Sequence, residues 1–178
     1  IAARDNFTTL FVGVDGVDPT QCGIYKLKNS NSVPNQWQRV SGPIDLQGSK
    51  VFYDMETGGA SGTIYVATDI GLFAIKQNDS VTTLYEFTVP SVPTGSVLPV
   101  LRSAVEVHPK NEDIIYLAND RGEVLKSTNR GVSWTEISSE IPTLGFVTLK
   151  LDPNSDTIYV QGPGSGVWKK TFDNGILH

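Results

Sequence analysis

One short pattern occurs four times along the chain, and it constrains the fold more than any other feature of the sequence. Its copies are TLFVGVD at 9–15, TIYVATD at 63–69, IIYLAND at 114–120 and TIYVQGP at 157–163. β-Branched, aromatic and small apolar residues dominate each copy, which is typical of β-strands. The aromatic residues at the third position are 54, 51 and 43 residues apart along the chain. A strand that recurs at nearly constant spacing indicates a chain built from similar units.

Each copy is followed by a glycine and a second strand-like run. These runs are GIYKLK from Gly23, GLFAIK from Gly71, GEVLKS from Gly122 and GVWKKT from Gly166. Alternating runs that end in Pro, Asn or Gly turns precede the second, third and fourth copies, so one unit is predicted to contain antiparallel strands A, B, C and D. A period of about 40 to 55 residues with about four strands is that of a β-propeller blade.

We therefore predict an all-β fold with about four β-propeller blades of four antiparallel strands, the first and last of them incomplete. The repeats are predicted at roughly 1–46, 47–97, 98–143 and 144–178, so that 1–178 is a single β-propeller domain or part of one. Incomplete terminal blades leave strand edges that can pair with another chain. Two interpretations stay open: the chain is a piece of a larger propeller, or several copies close a ring.

The turn between strands C and D of the third repeat has the form Ser-x-Asn-x-Gly-x-x-Trp. We expect Asn129 to accept hydrogen bonds from backbone N–H groups, Gly131 to adopt a positive φ, and Trp134 to cover the base of the hairpin. Ser127 is expected to hydrogen-bond across the same turn. The final residues, GVWKKTFDNGILH, align without a gap to GEVLKSTNRGVSW, which places Thr171, Asp173 and Gly175 on the corresponding structural positions. The motif therefore predicts scaffolding.

Charge and composition argue against several classes of site. The net charge is −5 and the 14 basic residues are dispersed, which argues against a nucleic-acid-binding surface. No stretch of 18 apolar residues occurs, so we expect no membrane insertion. Two distant histidines and the single Cys22 form no transition-metal pattern, and we expect neither a metal nor a cofactor. Cys22 is expected to be a buried thiol, and the sequons at Asn6 and Asn78 are compatible with secretion.

The C-to-D turn resembles the Asp-box, or bacterial neuraminidase repeat, Ser/Thr-x-Asp-x-Gly-x-x-Trp/Phe. This family pattern occurs in β-propellers of sialidases, xyloglucan-degrading glycoside hydrolases, sortilin-type receptors and a photosystem assembly factor. The texts VHPKNEDIIYLAND and SGVWKKTFDNG resemble the xyloglucanase and sortilin-like group most. The resemblance covers essentially the whole chain and implies the β-propeller fold. It implies little about function, because the box lies on the outer rim of a blade and carries no chemistry in that family.

Within the resemblance, one residue corresponds to a catalytic position. Xyloglucan-degrading members use two aspartates, one of them in a text like Thr-Asp-Val-Gly-Gly after a B strand. The text ATDIGLF is similar to it and makes Asp69 the candidate catalytic residue, although an aspartate there also serves as an ordinary turn residue. The arginine motif Arg-Ile-Pro of sialidases is absent from this sequence.

Ligands of propellers usually bind over one face, at the loops from B to C and from D to A, which is an expectation from the fold alone. The B-to-C loops give four candidate binding residues, Asp15, Asp18, Asp120 and Arg121. Asp69 and Asp120 occupy equivalent places in successive repeats, and paired carboxylates are what glycoside hydrolysis requires. Solvated turn carboxylates remain the alternative for Asp15 and Asp18.

The resulting functional prediction is extracellular or cell-surface carbohydrate recognition, within a glycan-binding or polysaccharide-degrading Asp-box propeller protein. Its partner would be a polysaccharide or a glycoprotein glycan, with a second chain that completes the propeller as a further candidate. The alternative is a non-catalytic protein-interaction or assembly propeller. A glycoside hydrolase of the xyloglucanase type is the third interpretation, and the chain alone is not expected to be an enzyme.

Overall fold

The computed structural model describes residues 2–4, 9–16, 18, 20–28, 36–41, 51–88, 102–140, 148–152, 154–162 and 166–172. These residues form four antiparallel sheets, each made of strands consecutive in sequence. The first sheet contains β1 (Ala2–Arg4), β2 (Thr9–Val14), β3 (Gly23–Lys28) and β4 (Trp37–Ser41), and the second contains β5 (Phe52–Gly58), β6 (Thr63–Thr68), β7 (Gly71–Ile75) and β8 (Val81–Glu86). The third contains β9 (Ser103–Val107), β10 (Ile115–Asn119), β11 (Val124–Ser127) and β12 (Thr135–Glu136). The fourth contains β13 (Thr148–Asp152), β14 (Thr157–Gly162) and β15 (Gly166–Thr171).

The predicted fold class is confirmed: the protein is all-β and built from antiparallel sheets of three or four strands. The four copies of the repeated pattern form β2, β6, β10 and β14, the second strand of each sheet. Short 3-10 helices occur at Gly59–Ser61 and Ser138–Glu140. Neither of these helices, the two in the described part of the chain, is long and apolar enough to cross a membrane.

The sheets are arranged side by side, with their first strands innermost. Contacts join β1 to β5, β5 to β9 and β9 to β13, so the first strand of each sheet lies next to the first strand of the following sheet. We call β1, β5, β9 and β13 the inner strands. Antiparallel sheets bury a face when another sheet covers it, and here the covered faces meet in pairs.

The hydrophobic core therefore consists of three layers between successive sheets. Phe11 and Ile24 pack against Ile64 and Phe73 between the first and second sheets. Between the second and third sheets, the buried residues include Tyr65, Ala67, Leu72, Val105 and Leu117. Between the third and fourth sheets, they include Ala104, Tyr116, Leu149, Ile158 and Val160. Because both faces of the second and third sheets are covered, β6, β7, β9 and β10 are buried almost throughout.

Polar contacts also join neighbouring sheets. His108 follows β9, its side chain is buried, and its Nε2 lies 2.9 Å from Oδ1 of Asp156 in the turn before β14. The backbone N–H of Lys110 donates to Nδ1 of His108 at 3.2 Å, so Nε2 carries the proton that it donates to Asp156. Lys26 on β3 forms an ion pair with Asp79 in the turn after β7. His108 is thus part of a structural contact between the third and fourth sheets.

The C-to-D turn of the third sheet is held by side-chain hydrogen bonds. The Ser127 hydroxyl accepts from the backbone N–H groups of Asn129 at 3.2 Å and Gly131 at 2.8 Å. Oδ1 of Asn129 accepts from the backbone N–H of Ser133 at 2.9 Å, and Gly131 has a φ of 84°. Nε1 of Trp134 donates to the carbonyl oxygens of Leu84 and Gly131, both at 3.1 Å. The turn therefore also attaches the third sheet to the outermost strand of the second.

At the fourth sheet, the described residues end at Phe172, directly after β15. The Thr171 hydroxyl lies 2.8 Å from the hydroxyl of Thr157 on the neighbouring strand. The predicted structural positions Asp173 and Gly175 lie outside the described residues, as does the Asn6 sequon. Asn78 lies exposed in the turn between β7 and β8, and its Oδ1 accepts a hydrogen bond from the Ser80 hydroxyl at 2.7 Å.

One side chain expected in the core is not there. The place of Trp168 on strand C of the fourth repeat predicts a core position, but 39% of the residue is exposed. Trp168 lies on β15, opposite the buried Val160. β15 is the third strand from the centre, and the third sheet covers it less completely than it covers β13 and β14. Cys22 is fully buried, as the sequence predicts.

Candidate functional site

Three aspartates from equivalent loops lie at the end of the sheets where the inner strands begin. The backbone N–H of Asp69 donates to the carbonyl oxygen of Val51, directly before β5, at 3.3 Å. The backbone N–H of Asp120 donates to the carbonyl oxygen of Arg102, directly before β9, at 3.0 Å. Both aspartates follow the second strand of their sheet, so the repeat places them at equivalent positions in neighbouring sheets.

Asp15, in the loop after β2 of the first sheet, lies at the same end of the inner strands. Its Oδ1 accepts a hydrogen bond from the backbone N–H of Phe52, the first residue of β5, at 2.8 Å. This contact crosses from the loop after β2 to the inner strand of the next sheet. The carboxylate of Asp15 thus lies beside the start of β5, which is also where the loop of Asp69 is attached.

Tyr53 is the second residue of β5 and directly follows Phe52, whose backbone N–H donates to Asp15. Burial raises the pKa of its phenol, and the negative charges of Asp69, Asp120 and Asp15 raise it further, whereas Arg102 lowers it. We call Asp15, Tyr53, Asp69, Arg102 and Asp120 the mouth cluster, because they lie at one end of the inner strands.

The other two predicted binding residues have structural partners. Oδ1 of Asp18 accepts hydrogen bonds from the backbone N–H of Thr20 at 2.8 Å and from its hydroxyl at 2.7 Å. Both bonds lower the pKa of Asp18, and they stabilise the turn that contains it. Nη1 of Arg121 donates to the carbonyl oxygen of Thr88 at 2.7 Å, which ties the loop after β10 to the end of the second sheet.

Along the inner strands, the mouth cluster continues into a second charged group. Asp54 and Glu56 on β5 and Glu106 on β9 face Lys150 on β13, which forms an ion pair with Glu106. Burial raises the pKa of both Glu56 and Glu106, and neighbouring carboxylates raise it further. We call Asp54, Glu56 and Glu106 the inner carboxylates. One lysine of β13 therefore faces the three inner carboxylates.

This imbalance makes the stability of the protein depend on pH. A carboxyl group whose pKa is raised by folding stabilises the protein below its unfolded pKa, and the contribution is lost as pH rises through the folded pKa. We therefore expect Glu56→Gln to raise the Tm at pH 7 by about 2–4 °C, the shift that about 1 kcal/mol produces in a domain of this size. The gain should shrink as pH falls towards 4.5, the ordinary pKa of glutamate.

Thermal unfolding of Glu56→Gln and wild type at several pH values measures this effect. The substituted amide oxygen can still accept the hydrogen bond that the backbone N–H of Thr57 donates to Glu56 at 3.2 Å, so the variant changes charge with little change in hydrogen bonding. Glu86→Gln, on the exposed outer strand β8, is the matched control. A stabilisation of Glu56→Gln that does not vary with pH would contradict the assignment.

The mouth cluster offers hydrogen-bonding groups of both kinds. Three carboxylates accept hydrogen bonds, the protonated phenol of Tyr53 donates or accepts, and the exposed guanidinium of Arg102 donates. A cavity of about 100 Å³ between the first and second sheets is bordered by Tyr53 and Asp54. Among the described residues, no group of three or more His, Cys, Asp or Glu side chains is arranged to hold a metal ion.

The three aspartates of the mouth cluster are candidates from the sequence, whereas Tyr53 and Arg102 are not. Both lie at the start of inner strands, where the sequence gives no signal beyond the position in the repeat. The predicted D-to-A loops, 41–49 and 90–102, fall almost entirely outside the described residues. Of the loops expected to surround a ligand, the structure describes the B-to-C loops after β6 and β10 completely.

Comparison with solved structures shows the fold. The chain is similar to the GH74 xyloglucanase from Xanthomonas campestris, with 12% identity over 96% of this chain and 28% of that chain and a TM-score of 0.64. It is similar to PorZ, a bacterial surface component of the type-IX secretion system of Porphyromonas gingivalis, with 15% identity over 89% and 24% and a TM-score of 0.58. A chain of a nidogen/laminin complex matches with 9% identity over 85% and 51% and a TM-score of 0.56.

The xyloglucanase and PorZ have a β-propeller-type fold, and the sheets of this protein match that arrangement. The chain spans about half or less of the length of each of them. No protein-family model matches the sequence, and comparison with curated proteins gives no match. At these identities the likeness establishes the β-propeller fold of this protein and leaves its function to be argued from its own residues.

Proposed function

We propose that this protein recognises carbohydrate at the mouth cluster, as an extracellular or cell-surface Asp-box β-propeller. The observation that carries the proposal is that Asp15, Asp69 and Asp120, from three successive sheets, lie at one end of the inner strands, where Asp15 accepts from Phe52 and the loops of Asp69 and Asp120 are bonded to the residues before β5 and β9. Sugars present many hydroxyl groups that donate and accept at once, and a cluster of carboxylates with a phenol and a guanidinium matches that chemistry. The fold likeness to GH74 xyloglucanases is consistent with it at the level of the fold.

The Asp-box part of the proposal is supported by the turn of the third sheet. Ser127 accepts two backbone N–H groups and donates to Oδ1 of Asn129 at 3.0 Å. Asn129 occupies the aspartate position of the pattern and uses the same oxygen to accept from Ser133. The ring of Trp134 lies 5.7 Å from that of Tyr85 in an edge-to-face arrangement, which stabilises the hairpin against the second sheet.

Calorimetric titration with xyloglucan oligosaccharides tests the proposed binding. We expect measurable binding by the wild type and about tenfold weaker binding by Asp69→Asn and by Asp120→Asn, since a hydrogen bond to a charged group contributes about 1.5–3 kcal/mol. Asp152→Asn is the matched control, because Asp152 is the last residue of β13 and lies at the other end of the inner strands. Equal binding by all three variants would contradict the assignment of the site.

A catalytic role rests on Asp69 and takes the form of glycoside hydrolysis. Such a reaction needs a second carboxyl group about 5 to 9.5 Å from the first. Asp120 supplies the candidate, because its loop is equivalent to that of Asp69 in the neighbouring sheet. Loss of xyloglucan hydrolysis in Asp69→Asn, with oligosaccharide binding retained, would establish this role, and unchanged hydrolysis would remove Asp69 from it.

A protein-interaction propeller is the second candidate, and exposed apolar side chains favour it. On the first and fourth sheets, Trp37 is 49% exposed, Val167 64% and Tyr159 37%. These two sheets are the outer members of the row, and each has one face that no described sheet covers. A second chain that completes the propeller would cover such faces, and sedimentation velocity over a range of concentrations would detect it as an increase in mass.

A further inference from the structure

A groove of about 650 Å³ lies between the second and third sheets, at the end opposite the mouth cluster. Its volume is within the range of pockets that bind small molecules. Tyr65 on β6 and Leu84 on β8 contribute apolar surface, and Val132 of the C-to-D turn lies at its edge. Lys76, Glu112 and Arg130 contribute the charged groups. The groove is therefore an apolar recess with a few charges at its border.

The acidic group of the groove is already occupied. Glu112 accepts hydrogen bonds from the backbone N–H of Ser61 at 3.2 Å, from the hydroxyl of Tyr65 at 3.2 Å and from the hydroxyl of Ser61. Burial raises the pKa of Tyr65, and the charge of Glu112 raises it further, so the phenol remains the donor in this contact. Glu112 thus serves to join the second and third sheets and leaves little capacity to bind a cationic ligand.

The basic groups of the groove keep hydrogen-bond donors for a ligand, although Arg130 also forms an ion pair with Asp113. Lys76 directly follows β7 and is exposed. Nε of Arg130 donates to Oδ1 of Asp113 at 2.6 Å, and the backbone N–H of Arg130 donates to the Asp113 carbonyl oxygen at 3.0 Å. Within the described part of the chain, the structure shows no acceptor for the two Nη groups of Arg130. The bond from Nε therefore holds the guanidinium in place, and the Nη groups remain as donors for a ligand.

The C-to-D turn shapes this wall of the groove. Its pattern residues Ser127, Asn129 and Gly131 make the hydrogen bonds that hold the turn, whereas Arg130 and Val132 occupy the variable positions between and after them. Arg130 has a φ of 57°, which a non-glycine residue seldom adopts, and Val132 is 84% exposed. A rigid turn thus presents a guanidinium and an uncovered apolar side chain to the groove.

We propose that this groove is a second ligand site, which binds a small carboxylate with an apolar body. The carboxylate would pair with Arg130 and Lys76, and the apolar part would lie on Leu84, Tyr65 and Val132. The planar guanidinium can form paired hydrogen bonds with a planar carboxylate. The apolar recess favours a ligand with an apolar body over a free inorganic anion. The carboxylate can belong to a free organic acid or to the C-terminus of a peptide.

Amide NMR titration of the full chain tests the proposal with 4-methylpentanoate, with the peptide acetyl-Gly-Gly-Leu-Val and with the C-terminal amide of that peptide. The expected result is a set of shifts confined to residues 61–65, 76–84 and 130–132 with one or both carboxylates and none with the amide. Shifts with the acid alone identify a small-molecule site, and shifts with the free peptide alone identify a C-terminus site. Shifts elsewhere, equal shifts with the amide, or none at millimolar ligand would overturn the proposal.

Three variants complete the test. Arg130→Gln and Lys76→Gln should each weaken binding about tenfold, which corresponds to about 1.4 kcal/mol. Thr82→Trp should block the groove from an exposed position on β8. Lys169→Gln, an equal change of charge on the exposed side of β15, is the control. Thermal unfolding shows whether each variant is folded, and folded Arg130→Gln and Lys76→Gln variants with wild-type affinity would overturn the proposal.

Discussion

Gly71→Ala is expected to lower the free energy of unfolding by about 2–4 kcal/mol, because β7 and β8 lie too close together at this point for a side chain. A Cβ atom at position 71 would stand 2.1 Å from the carbonyl oxygen of Tyr85 and 3.2 Å from the Cα of Glu86. Both atoms belong to the backbone of β8, so they can move only if the pairing of the two strands is disturbed. Glycine removes the conflict by having no Cβ.

The same substitution should reach the mouth cluster. The Thr68 hydroxyl donates to the carbonyl oxygen of Gly71 at 3.1 Å and accepts from its backbone N–H at 3.2 Å. These bonds close the loop that contains Asp69, so displacement of position 71 should displace that carboxylate. We expect Gly71→Ala to lower both the stability of the protein and its affinity for oligosaccharide.

Urea unfolding measures the effect, with Gly16→Ala as the matched control. A Cβ at position 16 would meet no heavy atom closer than 3.9 Å, so this variant should change the free energy of unfolding by less than about 0.5 kcal/mol. If Gly71→Ala proved as mild as Gly16→Ala, the close approach of β7 and β8 would be wrong.

His108→Ala is the second substitution with a large expected effect, about 3 kcal/mol in the free energy of unfolding. The His108 ring is buried, and its Nε2 donates to Asp156 at 2.9 Å across the boundary between the third and fourth sheets. Truncation would leave a cavity and a carboxylate that is 10% exposed without its donor. The loss of packing and the unpaired carboxylate act in the same direction.

Asp156→Asn should be much milder than His108→Ala, at about 1 kcal/mol or less. The amide oxygen of asparagine can still accept from His108, and asparagine tolerates the φ of 46° that Asp156 adopts. Hydrogen exchange should show that His108→Ala loosens β13, β14 and β15 more than β5, β6 and β7. If His108→Ala lowered the hydrogen-exchange protection of the two sheets equally, the contact would not be what holds the fourth sheet in place.

The strands and the third C-to-D turn follow from local sequence, and the contacts between sheets do not. The repeat predicts which residues form β6, β10 and β14, because alternation and turn residues act within a few positions. The phenol of Tyr65 and the carboxylate of Glu112 lie 47 positions apart in sequence and meet only through the packing of two sheets. The same holds for His108 and Asp156, which are 48 positions apart.

The candidate site likewise contains some residues whose position follows from local sequence and others whose position does not. Equivalent places in the repeat predict that Asp69 and Asp120 share one end of the sheets, since successive units have the same orientation. The inclusion of Tyr53 depends on the irregular register between Phe52 and Asp54 on β5, which no local pattern indicates. The error at Trp168 has a related cause, because the sequence places it on a strand without showing how far the neighbouring sheet extends over that strand.

Amide NMR titration with a xyloglucan oligosaccharide tests the central claim most directly, because it locates binding on the protein without reference to activity. We expect the largest shifts at Asp15, Tyr53, Asp69, Arg102 and Asp120, and no change at Arg130 and Val132, at the opposite end of the sheets. Asp69→Asn should reduce the shifts at Tyr53 at a given ligand concentration. Shifts centred on another surface, or none at millimolar oligosaccharide, would contradict the assignment of the mouth cluster as a carbohydrate site.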